Sequence, residues 1–217
     1  MSDSVQEDVR GSGRGHRKSQ GRDRRTPRVL VISCGALARE FLTVVKINGW
    51  THIDVTCLPA EWHFTPKKIP DGMRRKIREN RRNYDEILCL FGDCGTSGEL
   101  DIVLQEEGVS RIPGDHCYAF FAGLPEFDAM QDEDAGTFYL TDFFVRHFDT
   151  FVMRHLGLDK YPELLDDYFG NFSRVMFLVQ VPDPALEMKA REAAKRLNLR
   201  FEMRVTGLQN IERFLAG

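Results

Sequence analysis

Four cysteines stand where the chemistry of a binding site is expected. Cys34, Cys57, Cys94 and Cys117 each lie at, or just beyond, the carboxyl end of a predicted strand. In an open parallel sheet those ends line one rim, where ligands bind, so thiols far apart in sequence can meet there. The fifth cysteine, Cys89, lies inside a predicted strand, and we interpret it as part of the core.

Several thiolates at one rim predict a metal centre. Thiolates suit Zn²⁺, or an iron–sulfur cluster in which one iron lacks a cysteine ligand, and an open coordination position lets a metal bind substrate directly. No CxxC pair is present, so the usual zinc-ribbon spacing is missing. The leading ligands are Cys34, Cys94 and Cys117, with Cys57 as the fourth candidate. The alternative is that all four are small buried residues packed at strand ends.

The residues beside these cysteines supply candidate polar groups. His116 is the preferred acid/base group or auxiliary ligand, and Asp93 is a second catalytic candidate, able to orient a ligand or bind an amine. Gly35 and Gly95 allow backbone to approach a ligand closely. Gly95, Thr96 and Ser97 precede a predicted helix and can offer N–H groups to an anion. Turns of this composition are also common without any ligand.

The pattern of apolar runs predicts the elements that position these groups. Strands are expected at 29–33, 52–57, 86–91, 109–112, 174–180 and 201–205, and helical spacing fills most of the intervals. Such alternation indicates an α/β fold with a mostly parallel, doubly wound, Rossmann-like sheet and an inserted helical segment near 120–170. The basic run over residues 74–82 is most simply a solvated helix face. Asp142 and Arg146, four apart on a predicted helix, are expected to form a surface ion pair.

Composition limits the classes of function. The chain has 217 residues and a formal charge of −3, which does not favour a dedicated nucleic-acid binder. Residues 1–27 carry a net charge of +3 without apolar periodicity, which predicts a disordered basic tail, and residues 28–217 are expected to form one domain. With no apolar run long enough to span a membrane and no secretory pattern, we expect a cytoplasmic protein.

Five motifs in order resemble one known family. They are Val31–Ala38, Cys57–Ala60, Phe91–Thr96, Arg111–Tyr118 and Phe138–Phe143. Together they resemble the domain-of-unknown-function family numbered 1638 over roughly residues 28–215. Aspartate at 115 and phenylalanine at 64 depart from the residues frequent in that family. The resemblance implies a link to one-carbon metabolism of methylated amines. In their gene surroundings, members of the family often look like companions of corrinoid-dependent methylamine or betaine methyltransferases.

Three hypotheses follow for function. The first is a metal–thiolate protein, with zinc or an iron–sulfur cluster, that acts on a small molecule of one-carbon or methylamine metabolism. The second is a non-enzymatic accessory protein that binds a corrinoid protein or methyltransferase through an exposed aromatic patch. The members of that patch would be Phe120, Phe121, Phe138, Phe143 and Phe144. The third is a metal-free cysteine enzyme that uses Cys94 or Cys117 with His116.

Overall fold

The structure is a computed structural model that describes residues 26–216. The predicted tail, residues 1–27, lies almost entirely outside the described residues. Among residues 26–216, no helix combines the length and the apolar character needed to cross a membrane.

A four-stranded parallel sheet forms the first half of the fold. Its strands lie in the order β2-β1-β3-β4. Every residue of β1 is buried, as expected for a β-branched strand that is covered on both faces. The bounds are β1 Val29–Cys34, β2 Ile53–Leu58, β3 Glu86–Leu90 and β4 Ser110–Arg111.

Helices connect these parallel strands. The connections also contain short 3₁₀ turns at Gly35–Leu37 and Ala60–Phe64. The helices are α1 Ala38–Ile47, α2 Lys68–Asn80 and α3 Glu99–Glu107. The basic run on and just after α2 is not simply solvated, because Arg74, Arg78 and Arg81 all form ion pairs with Glu107 of α3.

A second parallel sheet, in the order β5-β6-β7, forms the later half. A π-helical segment, Asp149–Arg154, and a 3₁₀ turn, Pro162–Leu164, lie between its first two strands. The strands are β5 Thr137–Thr141, β6 Arg174–Val179 and β7 Arg200–Val205. The helices are α4 Cys117–Ala122, α5 Leu124–Glu133, α6 Asp142–Arg146, α7 Leu165–Phe169, α8 Pro184–Arg196 and α9 Gln209–Ala216.

The predicted α/β class with parallel strands is confirmed, and its strands are divided between two sheets. The six predicted strands are all present, and β5 is an addition within the segment expected to be helical. Thr137–Thr141 has the β-branched and aromatic residues typical of strands. This strand continues directly into α6, and no glycine or proline separates the two elements. The sequence therefore shows one continuous aromatic segment in which the strand could not be distinguished from the helix.

Candidate functional site

The carboxyl edge of the first sheet gathers three of the predicted cysteines. Cys34 is the last residue of β1, Cys94 lies in the loop after β3, and Cys117 begins α4 after β4. A cavity of about 330 Å³ opens beside them. It is lined by Ala36, His63, Pro66, Cys94, Gly95, His116, Cys117, Tyr118 and Phe144. We call it the thiol cavity.

The thiols of Cys34, Cys94 and Cys117 are electrostatic neighbours. Burial is the main cause that raises the pKa of Cys34 and of Cys94 to about 12, and it also raises the pKa of Cys117. A charge on Cys94 raises the pKa of both other thiols, and a charge on Cys34 raises that of Cys117. These side chains therefore carry their protons at neutral pH unless a cation compensates the negative charge.

A close contact between backbones joins the loops that carry Cys94 and Cys117. The N–H of Cys94 donates to the carbonyl oxygen of Asp115 at 3.1 Å. At Gly92, an added Cβ would lie 2.5 Å from the same oxygen, so glycine is required for the approach. Cys94 itself has φ of 50°, a left-handed conformation that is uncommon outside glycine and concentrated at functional sites.

Asp93 organises the loop around Cys94. Its carboxylate accepts the hydroxyl of Thr96 at 2.6 Å and the N–H groups of Ser97 and Gly98 at 3.2 and 2.8 Å. The catalytic role assigned to Asp93 and the anion-binding role assigned to Gly95, Thr96 and Ser97 stay predictions. The geometry gives Asp93 a positioning role, since the N–H of Ser97 and the hydroxyl of Thr96 already have a partner.

Cys34 is held where β1 turns into the following 3₁₀ segment. Its Sγ accepts the N–H of Ala36 at 3.3 Å. An added Cβ on Gly35 would lie 3.2 Å from backbone atoms of Leu58 and Ala60, so the chain after β1 passes close to the end of β2. Gly35 therefore has a packing reason to be small, and its predicted contact with a cofactor stays a prediction.

Two histidines supply nitrogen donors at the thiol cavity. The Nδ1 of His63 lies 2.9 Å from the carbonyl oxygen of Ala60 and 3.9 Å from the Sγ of Cys34. Because a carbonyl only accepts, Nδ1 carries the proton and Nε2 presents its lone pair. Burial lowers the pKa of His63, and the charge of His116 lowers it further, so His63 is neutral at pH 7. His116 is exposed at the amino end of α4.

Cys57 and Cys89 do not line the thiol cavity, although a charge on Cys57 raises the pKa of Cys34 and a charge on Cys94 raises that of Cys89. Cys57 pairs with Ser33 across β1 and β2, while Cys34 pairs with Leu58, so Cys57 and Cys34 point to opposite faces of the sheet. Burial raises the pKa of Cys57, and the charge of Lys76, on α2, opposes this rise. Cys89 is fully buried within β3, as the sequence predicted. Cys57 is the least favoured of the four predicted ligands.

The cysteine and histidine side chains at this edge of the sheet are not collected around one point. Among residues 26–216, no group of three or more His, Cys, Asp or Glu side chains is arranged so that it could hold a single metal ion. Ligands of one tetrahedral zinc lie within about 4 Å of each other, because each Zn–S bond is about 2.3 Å. The predicted zinc site is therefore not preformed.

The aromatic patch required by the accessory-protein hypothesis is not exposed. Phe120 and Phe121 are buried in the first core. Phe138, Phe143 and Phe144 are half-buried and pack against the two cores. Phe144 also lines the thiol cavity. These five side chains therefore pack against the cores of the protein, and Phe144 also forms part of the wall of the thiol cavity.

Sequence reasoning missed one buried acid near the site. Glu40, on α1, is 4 % exposed, and its charge raises the pKa of Cys117. A signal was available: Glu40 stands at helical spacing from Leu37 and Val44, on the apolar face of α1. An acidic residue at such a position predicts a buried carboxylate.

Comparison with known proteins identifies the family. Residues 57–215 match the family model described as Protein of unknown function (DUF1638). No curated protein and no solved structure matches the chain. The matched range includes Cys94 and Cys117, whereas β1 and Cys34 precede it. Since the match covers most of the chain and agrees with the family that its motifs resemble, the protein belongs to the DUF1638 family.

Proposed function

We propose that the protein holds an iron–sulfur cluster through Cys34, Cys94 and Cys117 and acts on a small molecule in the thiol cavity. The observation that carries this proposal is that three thiols from three separate chain segments influence one another at the carboxyl edge of the sheet, where Cys94 and Cys117 line the thiol cavity and Cys34 is buried beside it. Three cysteines leave one iron of a four-iron cluster without a cysteine ligand.

We propose a cluster ahead of a single zinc ion. The donors are not arranged around one ion, and cysteines that ligate different irons of a cluster are farther apart than the ligands of one zinc. The burial that disfavours free thiolates is compatible with either metal, because a bound cation stabilises the deprotonated sulfur. Zinc remains the second candidate and is measured in the same experiment.

The chain's own residues supply the surroundings of a ligand. The side chains of Ala36, Pro66 and Phe144 give the cavity an apolar wall, while His116 and the Nε2 of His63 can exchange protons with a bound molecule. The cluster, when bound, would supply electrons and an open iron position. Asp93 and Gly92 act indirectly, because they fix the loops that carry Cys94 and Cys117.

The substrate class comes from the family resemblance. A small methylated amine, or a molecule of the same one-carbon metabolism, has apolar methyl groups that the wall of Ala36, Pro66 and Phe144 would accommodate. A corrinoid protein or methyltransferase is the corresponding partner. Both assignments are supported only by the resemblance and by the apolar character of this wall.

Anaerobic reconstitution tests the proposal. Purified protein is incubated with ferrous iron and sulfide, or separately with zinc, and bound iron, sulfide and zinc are measured together with the visible and paramagnetic resonance spectra. We expect stoichiometric iron and sulfide in the wild type and in Cys57→Ser, and loss of both in Cys34→Ser, Cys94→Ser and Cys117→Ser. Cys57→Ser is the matched control, because it removes a thiol that points to the face of the sheet opposite Cys34.

Other results of this experiment select the alternatives. Zinc bound in place of iron, with the same dependence on the three cysteines, would replace the cluster by a zinc site. Trace metal in the wild type would reject both. Rapid alkylation of Cys94 or Cys117 at neutral pH would then favour a metal-free cysteine enzyme, which the raised pKa of both thiols disfavours.

A further inference from the structure

A second cavity, of about 350 Å³, lies where α1, α6 and the chain after β6 meet. Its walls differ from those of the thiol cavity, because charged side chains of both signs dominate them. It is lined by Arg39, Glu40, Thr43, Asp142, Arg146, Val181, Pro182, Asp183 and Pro184. We call it the charged cavity.

Glu40 is an acceptor without a donor in the charged cavity. The residue is 4 % exposed, and its Oε2 has no hydrogen-bond partner within the described part of the chain. A buried carboxylate oxygen left unpaired costs free energy, which a bound donor would recover. Burial raises the pKa of Glu40, and the charge of Asp142 raises it further. A positively charged group placed beside Glu40 would oppose both effects.

Arg146 is a donor without an acceptor in the same cavity. Its buried Nε has no hydrogen-bond partner among residues 26–216. Its terminal nitrogens lie 3.9 Å from carboxylate oxygens of Asp142 and Asp183, within ion-pair range but beyond hydrogen-bond distance. The guanidinium is therefore held by charge and is free to donate hydrogen bonds to a ligand. Arg39, which is exposed, adds a second positive charge to the wall.

Asp142 builds the wall between these two groups. The expected ion pair with Arg146 is present at 3.9 Å, but it is not at the surface, because Asp142 is 1 % exposed. Its carboxylate also accepts the N–H groups of Gln180 and Val181 at 3.2 and 3.3 Å. The side chain of Gln180 in turn accepts the N–H of Asp142 at 2.7 Å. This reciprocal pairing fixes the start of α6 against the end of β6.

We propose that the charged cavity binds a small zwitterion of the α-amino acid class, with its ammonium group at Glu40 and its carboxylate at Arg146 and Arg39. An unpaired acceptor and an unpaired donor in one cavity call for a ligand that carries both complementary groups. A simple anion would meet three carboxylates, those of Glu40, Asp142 and Asp183. A simple cation would meet two guanidinium groups. The proposal requires none of the cysteines, so it is independent of the proposed cluster.

Calorimetry on the full chain tests this site. Glycine, L-alanine, L-serine and L-glutamate are titrated in turn, with methylammonium and acetate as probes that carry only one of the two charges. We expect at least one amino acid to bind and both single-charge probes to bind at least 10-fold more weakly. We also expect Glu40→Gln and Arg146→Met each to weaken the amino acid at least 10-fold. The controls Lys46→Gln, on the same helix, and Cys94→Ser, in the thiol cavity, should leave its affinity unchanged.

The failing outcomes are equally specific. Absence of binding by all four amino acids, or acetate or methylammonium binding as tightly as the best amino acid, would overturn the proposal. So would unchanged affinity in both Glu40→Gln and Arg146→Met. Chemical unfolding of each variant shows whether it is folded. If one of the two variants does not fold, the affinity of the other variant tests the proposal. Loss of metal binding in Cys94→Ser with amino-acid affinity retained would separate this site from the proposed function.

Discussion

The N–H of Cys94 donates to the carbonyl oxygen of Asp115 at 3.1 Å, so a backbone hydrogen bond joins the loops that hold Cys94 and Cys117. Main-chain atoms, rather than flexible side chains, therefore set how far apart these two thiols lie. The consequences of this contact can be tested by changing the residues that permit it.

Gly92→Ala should separate the two cysteine loops. The new Cβ would lie 2.5 Å from the carbonyl oxygen of Asp115, a backbone atom that cannot rotate away. We expect a loss of about 1–3 kcal/mol in the free energy of unfolding, together with reduced metal loading. Gly35→Ala is the graded comparison, because its nearest backbone contacts are 3.2 Å away and its effect should be smaller. Equal stability of wild type and Gly92→Ala in urea unfolding would contradict the contact.

Asp93→Ala should loosen the loop that holds Cys94 in its left-handed conformation. The substitution leaves the Thr96 hydroxyl and the N–H groups of Ser97 and Gly98 without their acceptor. We expect a cost of about 1–3 kcal/mol by urea unfolding. Asp93→Asn keeps one acceptor oxygen and should cost less. An acid/base role would show itself differently, as a loss of activity in Asp93→Asn without a loss of stability.

Much of the candidate site could be predicted from local sequence. The β-branched run before Cys34 and the glycine-rich turn around Cys94 mark strand ends, and parallel pairing places those ends on one edge. The exclusion of Cys57 could not be predicted, because it depends on register. Cys57 pairs with Ser33 instead of Cys34, and a shift of one residue reverses the face to which a side chain points.

The division into two sheets could not be predicted either. The apolar sequence of each strand indicates that the strand is buried, but it does not indicate which other strand it pairs with. From the sequence alone, β6 and β7 could equally have extended the first sheet. The pairing of β5 with β6 decides the matter, and β5 was hidden within an aromatic segment. The buried position of Asp142 follows from that same pairing, since its carboxylate binds the chain just after β6.

Glu40→Gln should flatten the dependence of stability on pH. Burial, with Asp142 nearby, raises the pKa of Glu40 above the ordinary value of 4.5, against the opposing charges of Arg146 and Arg39. The folded protein thus holds this proton to higher pH than the unfolded chain does. The stability gained is complete below pH 4.5 and is lost as the pH rises through the folded-state pKa.

Urea unfolding of wild type and Glu40→Gln across acidic and neutral pH measures this effect. Within that window, one proton changes the slope by at most about 1.4 kcal/mol per pH unit. The neutral glutamine lacks the slope, so the variant should gain on the wild type as the pH rises. Asp142 remains in both proteins, but its charge interacts with that of Glu40, so the difference reports the titration of the pair. Parallel curves for the two proteins would show that Glu40 keeps its ordinary pKa.

Arg174→Leu should destabilise the second sheet. Arg174 is 3 % exposed at the start of β6, where it binds Glu202 at 2.7 Å and the hydroxyl of Thr137 at 2.9 Å. We expect a cost of about 1–3 kcal/mol in the free energy of unfolding, because the substitution leaves the buried hydroxyl of Thr137 and the half-buried carboxylate of Glu202 without their donor. Arg75→Leu removes an exposed pair with Glu79 and should change stability by less than about 0.5 kcal/mol. Similar costs for both variants would contradict the burial of Arg174.

The short helix α6 contributes to both cavities. Phe144 faces the cysteines, while Asp142 and Arg146 belong to the charged wall. A ligand that displaces this single turn of helix in one cavity alters the shape of the other. Without such a displacement the two sites are independent, and with it each occupant would change the affinity of the other by the same factor.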